Sequence, residues 1–148
     1  MLTMGKVAAS ATLGATAYLV AGQVMAAWPE DYAFGAFRWV SLGLGLWSGW
    51  TFVGRRVTRR SSLAEAIGYG LTGMVMLLLL GFFVFAGNEA LRKALDRRYH
   101  GPIEAILDML PISARWGANL MHPDIIATLL LGGVLSGLLA RLVDRIWR

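Results

Sequence analysis

The chain has 148 residues, the length of one modest domain, and 57% of them are apolar whereas only 16% are charged. The apolar residues form long blocks instead of one stripe per helix, which excludes an ordinary water-soluble bundle. The absence of cysteine excludes disulfides and thiol chemistry, and the net charge of +5 lies at the ends of apolar blocks rather than in a stripe suited to nucleic acid.

Four apolar blocks predict an all-α membrane protein, built as a single domain with four transmembrane helices. A bilayer core of about 30 Å requires roughly 20 helical residues. The predicted helices cover residues 7–28, 36–54, 63–98, of which 66–88 lie in the membrane, and 124–145. A cleaved signal peptide is the alternative interpretation of the first block, since Lys6 gives it a basic start and Val24-Met25-Ala26 resembles a cleavage site.

The third block has the clearest helix start in the chain. Ser62 and Glu65 form a capping-box pattern, in which each side chain satisfies a backbone N–H group of the first turn. Strong helix formers continue after Asn88, so we predict that this helix projects several turns beyond the membrane.

The distribution of Lys and Arg predicts the orientation, because short connectors rich in these residues stay in the cytoplasm. Both chain ends are basic, and the connector between the second and third blocks carries four arginines: Arg55, Arg56, Arg59 and Arg60. We therefore predict a bacterial inner-membrane protein with both termini in the cytoplasm. These arginines, and Trp116 on the opposite side, are predicted interface anchors.

The last large connector contains an amphipathic segment at about residues 102–121. Its apolar face comprises Ile103, Ile106, Leu107 and Leu110. We predict that the segment lies along the outer membrane surface and that Pro111 breaks or restarts its helix.

Small residues recur at helix-packing spacing in the second and fourth blocks. Each block has a Gly-x-x-Ser-Gly pattern: Gly45, Ser48 and Gly49 in one, Gly133, Ser136 and Gly137 in the other. Small residues four apart let two helix backbones approach closely. We predict packing within one bundle, with pairing between subunits as the alternative, and the shared pattern suggests that two helical hairpins arose by duplication.

Residues suited to chemistry are sparse. His100 and His122 are too few for a closed metal site. No ionisable residue lies inside a block, whereas ion-coupled transporters usually hold one there. Gln23 and Asn88 lie near the outer boundary, where hydration or hydrogen bonds between helices explain them. We predict no catalytic, cofactor-binding or metal-binding residue, and a protein that is not an enzyme.

Several stretches resemble the TrgA family of bacterial inner-membrane proteins, which is associated with tellurite resistance. The most specific is the Tyr-x-Gly-Pro-x-Glu-Ala pattern of residues 99–105, since hydropathy does not require it. The others are Gly35-Ala36-Phe37-Arg38-Trp39-Val40 leading to Gly49-Trp50, Gly70-Leu71-Thr72-Gly73, and Gly132-Gly133-Val134-Leu135-Ser136-Gly137 through Trp147-Arg148. The resemblance covers nearly the whole chain and implies an association with tellurite tolerance, without catalytic residues to carry over.

Two hypotheses follow for function. The first is a non-enzymatic membrane protein of the TrgA type whose effect on tellurite tolerance is indirect, because direct reduction would most naturally use thiols. The alternative is an accessory subunit of a respiratory or photosynthetic membrane complex. The predicted partners are membrane lipids and such a larger complex, and not nucleic acid.

Overall fold

A computed structural model describes residues 3–27, 35–58, 60–96 and 100–147, without the side chains of residues 116, 119 and 120. Within these ranges the chain is helical and contains no strand. The elements are α1 (Met4–Ala27), α2 (Phe37–Ser48), a π-helical turn (Gly49–Val53), α3 (Leu63–Leu95), α4 (Pro102–Leu120) and α5 (Pro123–Ile146).

The three longest apolar helices, α1, α3 and α5, are each long and apolar enough to cross a membrane, judged by length and composition. The second predicted span differs, because its α-helix ends at Ser48 and the backbone then widens into the π turn, in which the Gly54 N–H bonds to the Gly49 carbonyl at 2.8 Å. The predicted ends at residue 28 and at residues 97 and 98 lie outside the described residues.

The start of α3 confirms the capping-box prediction. The Glu65 N–H donates to Ser62 Oγ at 3.1 Å, and the Ser62 N–H donates to Glu65 Oε2 at 2.8 Å. The 33 residues of α3 extend for about 50 Å at about 1.5 Å per residue, which exceeds a bilayer core of about 30 Å. The helix is therefore long enough to project from a membrane.

The helices form an up-and-down bundle in which α1 packs against α2 and α5, and α3 packs against α5. The α2 segment runs antiparallel to α1 over its whole length, since Arg38 lies beside Gly22 and Gly54 lies beside Lys6. The centre of the bundle is the fully buried Leu13 of α1.

One end of the bundle, called the basic end here, carries most of the described cations: Lys6, Arg55, Arg56, Arg60, Arg141 and Arg145. Arg141 of α5 donates from Nε to the Ser61 carbonyl at 2.7 Å, which joins the end of α5 to the connector before α3. The opposite end, where α1 ends, α2 begins and α4 lies, is called the α4 end.

Helix α4 packs lengthwise against the C-terminal part of α3, from Phe82 to Lys93. Lys93 Nζ and Asp108 Oδ2 form an ion pair at 3.0 Å, and the methyl group of Met109 lies against Gly87. The fully buried Ile112 anchors the middle of α4. The apolar face predicted from the sequence is turned away from the bundle, and its four residues, Ile103, Ile106, Leu107 and Leu110, are all exposed.

The prediction that Pro111 interrupts this helix is wrong, because α4 continues through it. A proline inside a helix removes one backbone hydrogen bond and crowds the preceding turn. Packing on both sides of Pro111 offsets that cost: Met109 and Ile112 contact the bundle before and after it, and Gly117 lies near Phe82.

Candidate functional sites: glycine-mediated helix contacts and an apolar cavity

The two predicted glycines of the second block form the contact between α1 and the α2 segment. A Cβ atom at Gly45 would lie 2.6 Å from the Leu13 carbonyl oxygen, and one at Gly49 would lie 2.5 Å from the Ala9 carbonyl oxygen. Both distances are far shorter than van der Waals contact, so only glycine permits this separation of the two backbones.

The two predicted glycines of the last block form the contact between α5 and α3. A Cβ atom at Gly137 would overlap the Ala66 carbonyl oxygen and lie 2.7 Å from its carbon, and one at Gly70 would overlap the Gly133 carbonyl oxygen. Gly133 itself has slightly more room, since its nearest neighbour, a methyl group of Leu71, would lie at 3.3 Å.

The same contact pattern occurs in both halves of the chain. In each half, two glycines four residues apart meet two small or apolar residues four residues apart on the preceding long helix, in antiparallel order. The pairs are Gly45 with Leu13 and Gly49 with Ala9, then Gly133 with Gly70 and Gly137 with Ala66. The shared sequence motif thus has the same packing role in both halves.

The serines of the two motifs cross from one half of the chain to the other. Ser48 donates to the Gly73 carbonyl of α3 at 2.7 Å, and Ser136 donates to the Ala9 carbonyl of α1 at 3.2 Å. Both serines are fully buried. The motif therefore supplies close packing within a half and a hydrogen bond between halves.

Two further small-residue contacts were not predicted from the motifs. Thr16 of α1 packs directly on Gly132 of α5, and Gly73 of α3 packs on Val53 of the π turn. A repeat of small residues every four positions, Gly5, Ala9, Leu13, Ala17 and Ala21, marks the buried face of α1 with one larger side chain at its centre. This repeat is visible in the sequence, and small residues at this spacing indicate a helix-packing face on α1.

The structure describes the side chains of three of the five predicted interface anchors. Arg55, Arg56 and Arg60 are exposed at the basic end, whereas Arg59 and the side chain of Trp116 lie outside the described residues. A long basic side chain that is exposed at the end of a bundle can reach lipid headgroups.

Gln23 lies in the last two turns of α1, toward the α4 end. Its Nε2 donates to Thr128 Oγ1 of α5 at 3.0 Å, a hydrogen bond between helices of the kind expected from the sequence. Its Oε1 is buried and accepts no hydrogen bond from any described residue.

An apolar cavity occupies the bundle between the glycine contacts and the α4 end. It contains about 520 Å³ of empty space, its open mouth included, and is bounded by α1 between residues 17 and 24, α2 between 37 and 44, α3 between 77 and 85, and Leu129 of α5. Ser41 provides the one polar side chain among the described residues that line it. The rings of Phe37 and Phe85, 4.3 Å apart, close the cavity on the side of the α4 end.

Half-exposed residues mark where the cavity opens. Leu44 on α2 and Leu78, Gly81 and Phe82 on α3 are half-buried, whereas the α1 residues of the lining are buried. The mouth therefore lies between α2 and α3. On α3 itself, Leu77 points into the bundle and Phe83 points outward.

The two histidines lie apart from these features, and both are exposed. Among the described residues there is no group of three or more histidine, aspartate or glutamate side chains that could hold a metal ion.

No protein-family model matches the chain, and comparisons with curated proteins and with solved structures find no relative.

Proposed function

We propose that the protein is a four-pass protein of the bacterial inner membrane with both termini in the cytoplasm. Support for the additional span comes from the α2 segment, which covers about 25 Å with its π turn, at about 1.5 Å per residue. It stays beside α1 from Gly22 to Lys6. The α2 segment therefore crosses the same thickness of membrane that α1 crosses between these two residues.

Orientation is tested at Thr58, which is exposed in the basic connector between the π turn and α3. The chain has no cysteine, so Thr58→Cys introduces a single thiol. In intact cells, a membrane-impermeant maleimide should leave this thiol unlabelled, and permeabilised cells should label it. Labelling in intact cells contradicts the proposed orientation.

For its biological role, we propose a non-enzymatic membrane protein of the TrgA type that supports tellurite tolerance indirectly. The close backbone contacts and the apolar cavity of the described interior support the non-enzymatic part of this proposal. The tellurite association rests on the resemblance of residues 99–105 to the TrgA family. Without thiols, such a protein would act through the envelope or through a membrane complex. A deletion strain should be more tellurite-sensitive than its parent and regain tolerance with a plasmid copy; unchanged sensitivity removes this role.

A second candidate function, an accessory subunit of a respiratory or photosynthetic complex, is favoured by the outer face of α3. An exposed stripe, the α3 stripe, comprises Val75, Leu79, Phe83, Leu91 and Leu95. Its last two members lie beyond the predicted membrane segment. Large apolar side chains exposed outside a membrane usually mark a contact with another protein.

Purification in a mild detergent followed by mass spectrometry tests this second candidate. A stoichiometric companion should co-purify with the parent protein and be lost from a Leu91→Gln, Leu95→Gln double variant. Because both side chains are exposed, the bundle should fold unchanged. Recovery of the parent only as a free monomer would contradict the accessory-subunit role.

A further inference from the structure

We propose that the apolar cavity binds one acyl chain of a membrane phospholipid, which enters through the mouth between α2 and α3. This inference rests on the proposed membrane span of the α2 segment, because only then does the mouth face the hydrocarbon core. The site is distinct from the lipid-exposed surface, because an acyl chain inside the cavity would contact buried residues of α1.

The first argument is the chemistry of the lining. A buried water molecule requires about two to four polar partners, and Ser41 is the one polar side chain among the described lining residues. Leaving the space empty would deprive the lining of dispersion contacts. A hydrocarbon chain restores those contacts and leaves no polar group unsatisfied.

The second argument is length and direction. From Leu77 to Phe85 the cavity follows α3 for about 12 Å, at about 1.5 Å per residue. It therefore runs parallel to the helices, which is the direction of acyl chains in a bilayer.

The third argument is continuity with the surface that meets lipid. Gly81 and Phe82 at the mouth are adjacent in sequence to Phe83, which is 72% exposed on a helix apolar enough to span a membrane. A chain lying on that surface reaches the mouth without crossing a polar group. The occupant thus comes from the surrounding bilayer, and the most abundant hydrocarbon there is the phospholipid acyl chain.

The test uses a phospholipid with a photoreactive diazirine in the middle of one acyl chain, incorporated into liposomes with the full-length protein. After illumination, peptide mapping locates the adducts. We expect adducts on the exposed α3 residues Leu79 and Phe83, and also on Val20 and Val24 of α1. The two valines are only 7% and 2% exposed, so a chain can reach them only through the cavity.

Two matched glycine variants identify the route. A Cβ atom at Gly81 or at Gly43 would meet nothing within 4 Å, so the backbone at both positions has room for a side chain. Gly81 lines the cavity, whereas Gly43 is exposed on α2 and does not. Gly81→Leu should abolish the α1 adducts and keep those on α3, and Gly43→Leu should keep both.

Four outcomes would overturn the inference. The α1 adducts could persist unchanged in Gly81→Leu, or the parent could give α3 adducts alone, which would mean that the cavity takes no chain although the protein is inserted. An absence of adducts on both helices would refute the proposed membrane insertion together with the site. An excess of unlabelled isoprenoid quinone that removes only the α1 adducts would assign the cavity to that lipid and refute the acyl chain.

Discussion

The most direct test of the packing is to add one methyl group at Gly137. In Gly137→Ala the new Cβ atom would overlap the Ala66 carbonyl oxygen and lie 2.7 Å from the Ala66 carbonyl carbon, with the Gly70 nitrogen at 3.3 Å. All three neighbours are backbone atoms of α3. Because no side chain can rotate away, α3 and α5 must move apart.

The expected loss in the free energy of unfolding follows from these distances. Carbon atoms pack best at about 3.5 to 4.0 Å, so the 2.7 Å approach requires the two helices to separate by about 1 Å. Overpacking of this kind typically costs about 1 to 3 kcal/mol, and rigid neighbours favour the upper end. Alanine gains up to about 1 kcal/mol over glycine in a helix. We therefore expect Gly137→Ala to lower the free energy of unfolding by about 2 kcal/mol, and Gly137→Leu by more.

Reversible unfolding in mixed micelles measures the effect, and the chain offers two matched controls. Gly133→Ala, one turn earlier on α5, meets its nearest neighbours at 3.3 to 3.4 Å and should change stability by less than Gly137→Ala. Gly68→Ala on α3 meets nothing within 4 Å and should be neutral or stabilising by up to about 1 kcal/mol. Equal stability of Gly137→Ala and Gly68→Ala would refute the close contact between α3 and α5.

Three further changes test other contacts in the same assay. Ser48→Ala should lower the free energy of unfolding more than Ser136→Ala, because the Ser48 hydrogen bond is shorter, at 2.7 Å against 3.2 Å. A hydrogen bond between helices inside a membrane usually contributes about 0.6 kcal/mol. The reverse order of the two variants would contradict the bond geometry. A double-mutant cycle with Lys93→Met and Asp108→Asn should give a coupling energy of about 0.2 to 1 kcal/mol, since both side chains are about one-quarter exposed. Zero coupling would contradict this and show that α4 docks through its apolar contacts alone. His100→Ala should leave stability unchanged, because this side chain is exposed and its backbone N–H, not its ring, bonds to Glu104.

Local features of the chain were predictable from the sequence. The helix bounds follow from uninterrupted apolar runs, and the start of α3 follows from Ser62 and Glu65, whose side chains act within a single turn. The small residues at Gly49 and Gly137 also indicated close helix contacts, because few other roles require that spacing.

Features that depend on contacts between distant segments were not predictable. The continuity of α4 through Pro111 depends on the docking of Met109 and Ile112 on the bundle, which no local pattern encodes. The π turn likewise follows an unbroken apolar run, and it brings Val53 against Gly73 on another helix. The cavity has no sequence pattern at all, since it is the space left between four helices.

The glycine contacts and the cavity have one geometrical cause. Helices that touch backbone to backbone at one level, as α5 and α3 do at Gly137 and Ala66, hold their axes close together there. Toward the α4 end the facing residues change from glycine to leucine and phenylalanine, such as Leu77 and Phe85, and larger side chains keep helix axes further apart. The same motif makes close contacts in both halves of the chain, at Gly45 and Gly49 in one and at Gly133 and Gly137 in the other. The cavity lies on the α4 side of these contacts, so its size should respond to Gly137→Leu, which separates α3 from α5, as well as to changes in its own lining.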